Sequence, residues 1–470
     1  MKRIMIILLG VVFGLVAGCT LAPKYTRPAL PVPDTWPANE AYRKSLATDT
    51  APAAQALGWR AFFADEDLCK LIETALKNNR DLKLAALNVE RARAMYGIQR
   101  AELLPPVYGA GSGSKARVPA DLSAIGKSYV AEQYSVNLGI SAWEIDFFGR
   151  IRSLKDKALQ EYLATKEARD GAQIALISAV AQAYLSLAAD REALKIARST
   201  LETQQASYDL IKKRYDVGIA TELDLMRVKT QVETARRDSA LYLQQAAIDE
   251  NALNLLLGSP AMSALMPSGL SSVAPPREIS SGMPSDVLLG RPDIQQAEHR
   301  LKAAYANIGA ARAAFFPSIS LTTAIGTASS ELSGLFEAGS RTWSFGPQIA
   351  LPIFDARIWP AMKVSKVDRE IALAGYEKAI QTAFKEVSDT LAAHVLVDEQ
   401  LAAQQSLVDA LSEAYHLSDA RYIRGIDNYL SVLDAHRSLF AAQQGLVALR
   451  LAKLANQVRF YAVLGGGIVE

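Results

Sequence analysis

The chain repeats itself at long range. The segment Tyr215-Asp-Val-Gly218-Ile-Ala-Thr-Glu-Leu223 aligns with Tyr422-Ile-Arg-Gly425-Ile-Asp-Asn-Tyr-Leu430. The same offset of 207 residues (215 to 422) brings Leu257-Gly258 onto Leu464-Gly465. Upstream, Asp81-Leu82, Gly97, Arg100-Ala101 and Pro105 match Asp293-Ile294, Gly309, Arg312-Ala313 and Pro317 at an offset of 212 (81 to 293). So long a period exceeds a solenoid unit and marks a duplicated half-domain. The fold must therefore be built from two pseudo-equivalent units, which suits a ring or tube.

Prolines place the boundaries. Pro23, Pro28, Pro31, Pro33 and Pro37 make residues 19–58 an extended tether with little room for helix. Pro260, Pro267, Pro275, Pro276 and Pro284 mark 259–284 as a linker between a first repeat, 59–258, and a second, 285–466. No proline falls between Pro119 and Pro260 or after Pro360. From Arg150 to Asp216 the chain is rich in strong helix formers, and about 65 helical residues would reach about 100 Å. Gly218 offers a left-handed C-cap, Thr221 an N-cap, and Glu222 and Asp224 acidic charge for the returning helix. The second half reads the same way: helix to Arg424, turn at Gly425, cap at Asp427 or Asn428, helix to about Leu464. Each half is an antiparallel helical hairpin. A soluble coiled-coil spacer would explain the hairpins but not the strands.

Those strands alternate. Ile319, Leu321, Thr323, Ile325 and Thr327 interleave with small polar residues, as do Trp343, Phe345, Ile349, Leu351 and Ile353. In the first half Tyr134, Val136, Leu138, Ile140 and Ala142 do the same, beside a weaker Gly- and Ser-rich strand from Val107 to Val118. Alternation gives one greasy and one wet face, as in a soluble sandwich or a membrane barrel. Strand length near ten residues, and the lack of strands for a second sheet, favour the barrel. Four strands cannot close one, so the open edges must pair with other copies. Two copies give a bore filled by side chains. Three give twelve strands with room for water, continued by a helical tube.

The N-terminus suggests the address. Lys2 and Arg3 precede an apolar run, Ile4 to Ala17, too short to span a bilayer, so residues 1–18 read as a signal peptide. It ends at Val16-Ala17-Gly18-Cys19, which resembles a lipoprotein cleavage box with Cys19 as the acylated residue. Thr20 at the next position implies export to the outer membrane. Several acyl chains, at about 0.8 kcal/mol per buried methylene, would anchor firmly. Loss of Lys2 and Arg3 from the chain's 51 basic residues leaves 49 against 49 acidic, a balance that argues against nucleic acid. The other cysteine, Cys69, is expected to be a small buried hydrophobe. No run of about 20 apolar residues follows position 18, so no membrane-spanning helix is expected and strands must do any crossing.

Gly290-Arg291-Pro292-Asp293-Ile294, Ala297-Glu298, Ala303-Ala304, Ile308-Gly309, Ala311-Arg312 and Phe315-Phe316-Pro317-Ser318 resemble the hallmark of TolC-type outer-membrane factors. Trp143-Glu144-Ile145-Asp146-Phe147-Phe148-Gly149-Arg150, Trp59-Arg60-Ala61-Phe62-Phe63 and Asp427-Asn428-Tyr429-Leu430 resemble the lipoprotein branch that serves multidrug (RND-type) efflux. The likeness spans nearly all of residues 19–466. It implies a homotrimer with a 12-stranded outer-membrane barrel and an α-helical periplasmic tunnel. A periplasmic adaptor and an inner-membrane transporter are the implied partners. It also implies that Leu430 and Asp434 face the axis and narrow the periplasmic mouth. Three leucines in a ring would exclude water, and three aspartates would attract cations. Arg421 and Tyr422, with Arg214, Tyr215 and Asp224, are expected to hold the tips together by charge-assisted bonds. The turns bearing Gly218, Thr221, Gly425 and Asn428 are expected to meet the adaptor.

No enzyme is expected. No Gly-x-x-x-x-Gly-Lys-Ser/Thr segment exists, and His299, His394, His416 and His436 lack second ligands at metal spacing. His436 beside Asp434 reads as a solvated helix pair. No cofactor is expected beyond the lipid on Cys19. Three other roles remain: heavy-metal efflux, type I protein secretion, and a structural or adhesive envelope lipoprotein.

Overall fold

The computed structural model describes residues 20–37, 57–280 and 284–466, with Asn39, Tyr42 and Ala54. The expected leader and Cys19 lie outside the described residues. The elements are helices α1 (Glu66–Asn78) and α2 (Arg80–Ala101), strands β1 (Val107–Val118) and β2 (Tyr129–Glu144), and helices α3 (Arg150–Asp216) and α4 (Glu222–Leu257). Then come α5 (Pro292–Ala313), β3 (Ser318–Ser329), β4 (Arg341–Ala350), α6 (Ile358–Ile423) and α7 (Tyr429–Val463). The order α2-β1-β2-α3-α4 recurs as α5-β3-β4-α6-α7, and α3 and α6 hold 67 and 66 residues. Pro360 stands in the first turn of α6, where its missing N–H costs nothing. By length and composition one helix among the described residues, α3, is apolar enough to cross a membrane. The window responsible is 61% buried within the protein, which marks a core helix.

The chain forms two compact units. The first comprises residues up to Ala29, Asn88–Thr165 and Gln296–Tyr376; the second comprises Leu30–Leu87, Lys166–Gln295 and residues from Glu377 onward.

In the first unit the four strands form one antiparallel sheet in the order β1-β2-β3-β4. The register places Val107, Ile140, Thr323 and Phe345 in one row and Gly109, Leu138, Ile325 and Trp343 in the next. Alternation assigns these rows to one face. Tyr108, Gly139, Ala324 and Ser344, and then Ala110, Asn137, Gly326 and Thr342, share the other. Ala142 does not extend the alternation as expected. A bulge lies between Ile140 and Trp143, Ala142 takes φ 50°, and its N–H donates to Thr322 Oγ1 at 3.1 Å. Leu351 and Ile353, expected on β4, fall beyond its end at Ala350, because Pro352 has no N–H for the ladder.

The start of the tether is strapped to this unit. Thr20 Oγ1 and Ser153 Oγ share a hydrogen bond of 3.2 Å, and Arg312 donates to the Leu21 carbonyl at 2.9 Å. Tyr25 and Arg27 reach the buried Glu298, which Lys302 also pairs at 2.9 Å. Burial pushes the Glu298 carboxyl up, but hydrogen bonds from Lys302, Arg27 and Tyr25 outweigh it and hold the group below its ordinary range.

In the second unit the hairpins α3–α4 and α6–α7 are held by polar side chains that each satisfy several backbone ends. Asp65 caps α1 through Leu68 N–H at 2.8 Å and also accepts from Ala274 N–H at 3.2 Å. Asn79 caps α2 through Leu82 N–H and donates to the Leu256 carbonyl near the end of α4, both at 2.9 Å. The Arg291 side chain, 10% exposed, donates to the Val463 carbonyl at 2.5 Å and pairs with Asp293 and Glu386, each at 2.8 Å. It thereby closes the C-terminus of α7 and ties it to α6. Cys69 is half-buried rather than buried; its thiol donates to the Phe63 carbonyl, and burial pushes its pKa up.

Candidate functional site

The residues singled out for gating and contact all lie at the ends of the two hairpins in the second unit. Both helices that lead into a turn close in the same way. Gly218 N–H donates to the Tyr215 carbonyl and Ile219 N–H to that of Arg214; Gly425 and Ile426 repeat this on Tyr422 and Arg421. This is the Schellman pattern, which needs a left-handed residue. Gly218 and Gly425 supply it with φ of 78° and 73°. Space around both is open, so backbone conformation, not crowding, demands glycine there.

The returning helices begin on side-chain caps. Thr221 and Asp224 form a reciprocal capping box at the start of α4, and Asn428 caps α7 by accepting from Leu430 N–H at 3.1 Å. Asp224 is therefore engaged within its own turn. So is Arg421, whose guanidinium pairs with Asp427 at 2.5 Å and holds that carboxyl below its ordinary range. One side-chain bond joins the hairpins among these tip residues: Arg214 donates to Tyr422 Oη at 2.9 Å, its guanidinium lying 5.2 Å from the ring centroid. Beneath it Ile211, Leu225, Val228, Tyr429, Val432 and Leu433 form a buried cluster, with Tyr422 packed against Tyr429. Tyr215 is exposed.

Leu430 is 40% exposed, and the Asp434 side chain is 56% exposed and paired with Arg437 at 3.1 Å. Asp434 thus pairs with Arg437 and not with the neighbouring His436. The His436 ring packs edge-on against Tyr415, and burial lowers its pKa, so it is not the solvated partner expected. Around the turns Val217, Ile219, Ile423 and Ile426 stand exposed, Ile219 at 76%.

Two features go beyond the sequence reading. Asp427 reads in sequence only as a possible cap, although an acid and a base flanking Gly425 are a visible signal for its pair with Arg421. Higher in the first hairpin, burial and then Asp249 push the Asp190 carboxyl up to about 7. Asp249 Oδ2 is buried without a hydrogen-bond donor of its own. These two aspartates stand equally far from the turn, 29 residues before Ile219 and 29 after Ala220, so antiparallel geometry was the available signal. A proton held by Asp190 supplies the missing donor. A raised carboxyl pKa adds stability that is complete below the unfolded value, near pH 4, and is lost as pH rises through 7. Asp190→Asn should therefore raise the melting temperature at pH 8 and leave it nearly unchanged at pH 4. Equal effects at both pH values would remove the shared proton.

The family model described as outer membrane efflux protein matches residues 71–259 and 283–466. The chain is 48% identical over 463 residues to the antibiotic efflux pump outer membrane protein ArpC of Pseudomonas putida. It has the same identity to the toluene efflux pump outer membrane protein TtgC, also of Pseudomonas putida. In both cases the match covers 98% of this chain and 95% of the relative. The crystal structure of the open state of the Neisseria gonorrhoeae MtrE outer membrane channel superposes with a TM-score of 0.86 at 35% identity, covering 96% of this chain and 99% of that one.

Proposed function

From the premise that the chain belongs to the outer membrane efflux protein family, we propose that three copies join edge to edge into a 12-stranded barrel. That barrel is the membrane segment of an exit duct for a tripartite pump. The protein is an outer-membrane efflux channel of the TolC-like fold. One observation carries the trimer: a sheet of four strands has one apolar face, one polar face, and two edges, β1 and β4, without partners among the described strands. A bilayer does not accept open edges, so β4 of each copy pairs with β1 of the next. Eight strands would fill their own bore; twelve leave a watery one. The helical hairpins continue the wall as a tunnel.

Solutes are supplied by an inner-membrane transporter through a periplasmic adaptor, which docks on the exposed aliphatic turns at Val217–Ile219 and Ile423–Ile426. The drugs and organic solvents named for the relatives are the solute class. Lipid on Cys19 adds an anchor that the barrel does not depend on, so Cys19→Ser should abolish acylation and retain trimers. Loss of trimers would make the lipid part of assembly.

The gate is the ring of Leu430 and Asp434, held shut by the Arg214–Tyr422 bond between hairpins. Opening swings the second hairpin outward and must break this bond. Asp434→Ala combined with Tyr422→Phe should raise single-channel conductance in planar bilayers severalfold, since it removes one charge of the ring and one closing bond per copy. Conductance equal to that of the unmodified protein would take the gate away from these residues.

A further inference from the structure

The two faces of the sheet differ in charge as well as polarity. On the apolar face Lys115 pairs with Glu132 at 2.5 Å, Arg117 lies one row beyond them, and Arg341 stands two rows nearer the middle, opposite Thr327. The opposite face carries hydroxyls, amides, glycines and alanines along all four strands. Ser112 Oγ and Ser135 Oγ share a hydrogen bond of 2.8 Å across β1 and β2, and Asn137 Nδ2 donates to Ser135 Oγ at 3.3 Å. These three side chains thus satisfy one another without ions. The face is also kept low in its middle: a Cβ on Gly139 would lie 2.4 Å from the Thr323 carbonyl oxygen. Its one charged strand residue is Glu144, in register with Ser320 at the far end of β2, and Arg150 neutralises it at 2.7 Å.

We propose that the membrane bore of this channel is blind to charge, so that uncharged, cationic and anionic organic solutes pass it on equal terms and only width selects among them. This deepens the exit-duct reading and rests on it, because it takes the polar face as the bore. The physical reason is that ion selectivity in a wide aqueous pore needs a fixed charge close to the permeating ion. At physiological salt a charge beyond about 8 Å is screened. Neutral hydroxyls and amides along the wall supply hydrogen bonds to any solute and a field to none. Preference for cations, where it occurs, then originates at the Asp434 ring and not in the barrel.

The test uses the full-length protein in planar bilayers under a KCl gradient, in the tip-opened Asp434→Ala/Tyr422→Phe background. The potassium-to-chloride permeability ratio should fall to within about twofold of unity. Adding Ser135→Lys should shift it toward chloride, and separately adding Gln133→Glu should shift it toward potassium, each by several fold. A strongly selective opened pore, or a ratio that neither added charge moves, overturns the neutral lining while the duct stands. Absence of conductance in every variant overturns the duct and the lining together.

Discussion

Arg291→Ala is expected to lower the melting temperature more than any tip substitution. Arg291 is buried, and its guanidinium serves three acceptors on three helices: Asp293 on α5, Glu386 on α6, and the Val463 carbonyl that ends α7. Burial works against its charge, but the two carboxylates more than reverse this and hold its pKa above the ordinary value. Truncation leaves a helix-end carbonyl without its donor and two carboxylates without their cation. Because both carboxylates are partly exposed, the cost belongs at the low end for broken buried pairs, roughly 3 kcal/mol. At about 2.1 cal/mol/K per residue the unfolding entropy of a chain this size is about 1 kcal/mol/K, so the melting temperature should fall by about 3 °C, read by circular dichroism in detergent. Arg291→Lys should recover only part of it, since an ammonium cannot reproduce the forked contacts. A melting temperature unchanged in the alanine variant would show that the clamp holds nothing.

A second large effect distinguishes the faces of the sheet. Leu138 and Asn137 are neighbours in sequence but sit in opposite rows of β2, Leu138 beside Ile325 and Asn137 beside Gly326. Lysine at a lipid-facing midplane position costs about 2–4 kcal/mol, and threefold symmetry multiplies that in every assembly. Leu138→Lys should therefore abolish trimers recovered from outer membranes, whereas Asn137→Lys should leave them intact. If both variants assemble equally well, the apolar face does not meet lipid.

The sequence carried the fold further than it carried the contacts. Duplication, proline placement and alternation sufficed for the hairpins and the four strands, because each signal is local or repeats at a fixed offset. Strand detail was lost where one residue changes the count: the bulge at Ala142 is a backbone event that alternation cannot report, and Pro352 outweighed the apolar residues around it. At the tips the caps were legible, since Thr221, Asp224 and Asn428 act within a few residues of themselves. The partners of Arg421 and Arg214 were not. Each had several acceptors within reach, and only the folded hairpins decide that Arg421 takes Asp427 while Arg214 takes Tyr422. Arg291 was conspicuous within its motif, but its acceptor at Val463 lies 172 positions away, beyond any spacing rule.

Strand closure between copies is the claim on which the duct depends, and native mass spectrometry of the purified full-length protein in detergent tests it most directly. Three chains per particle are expected, with single-channel currents from the same preparation. A particle containing one chain and carrying no current would contradict the account.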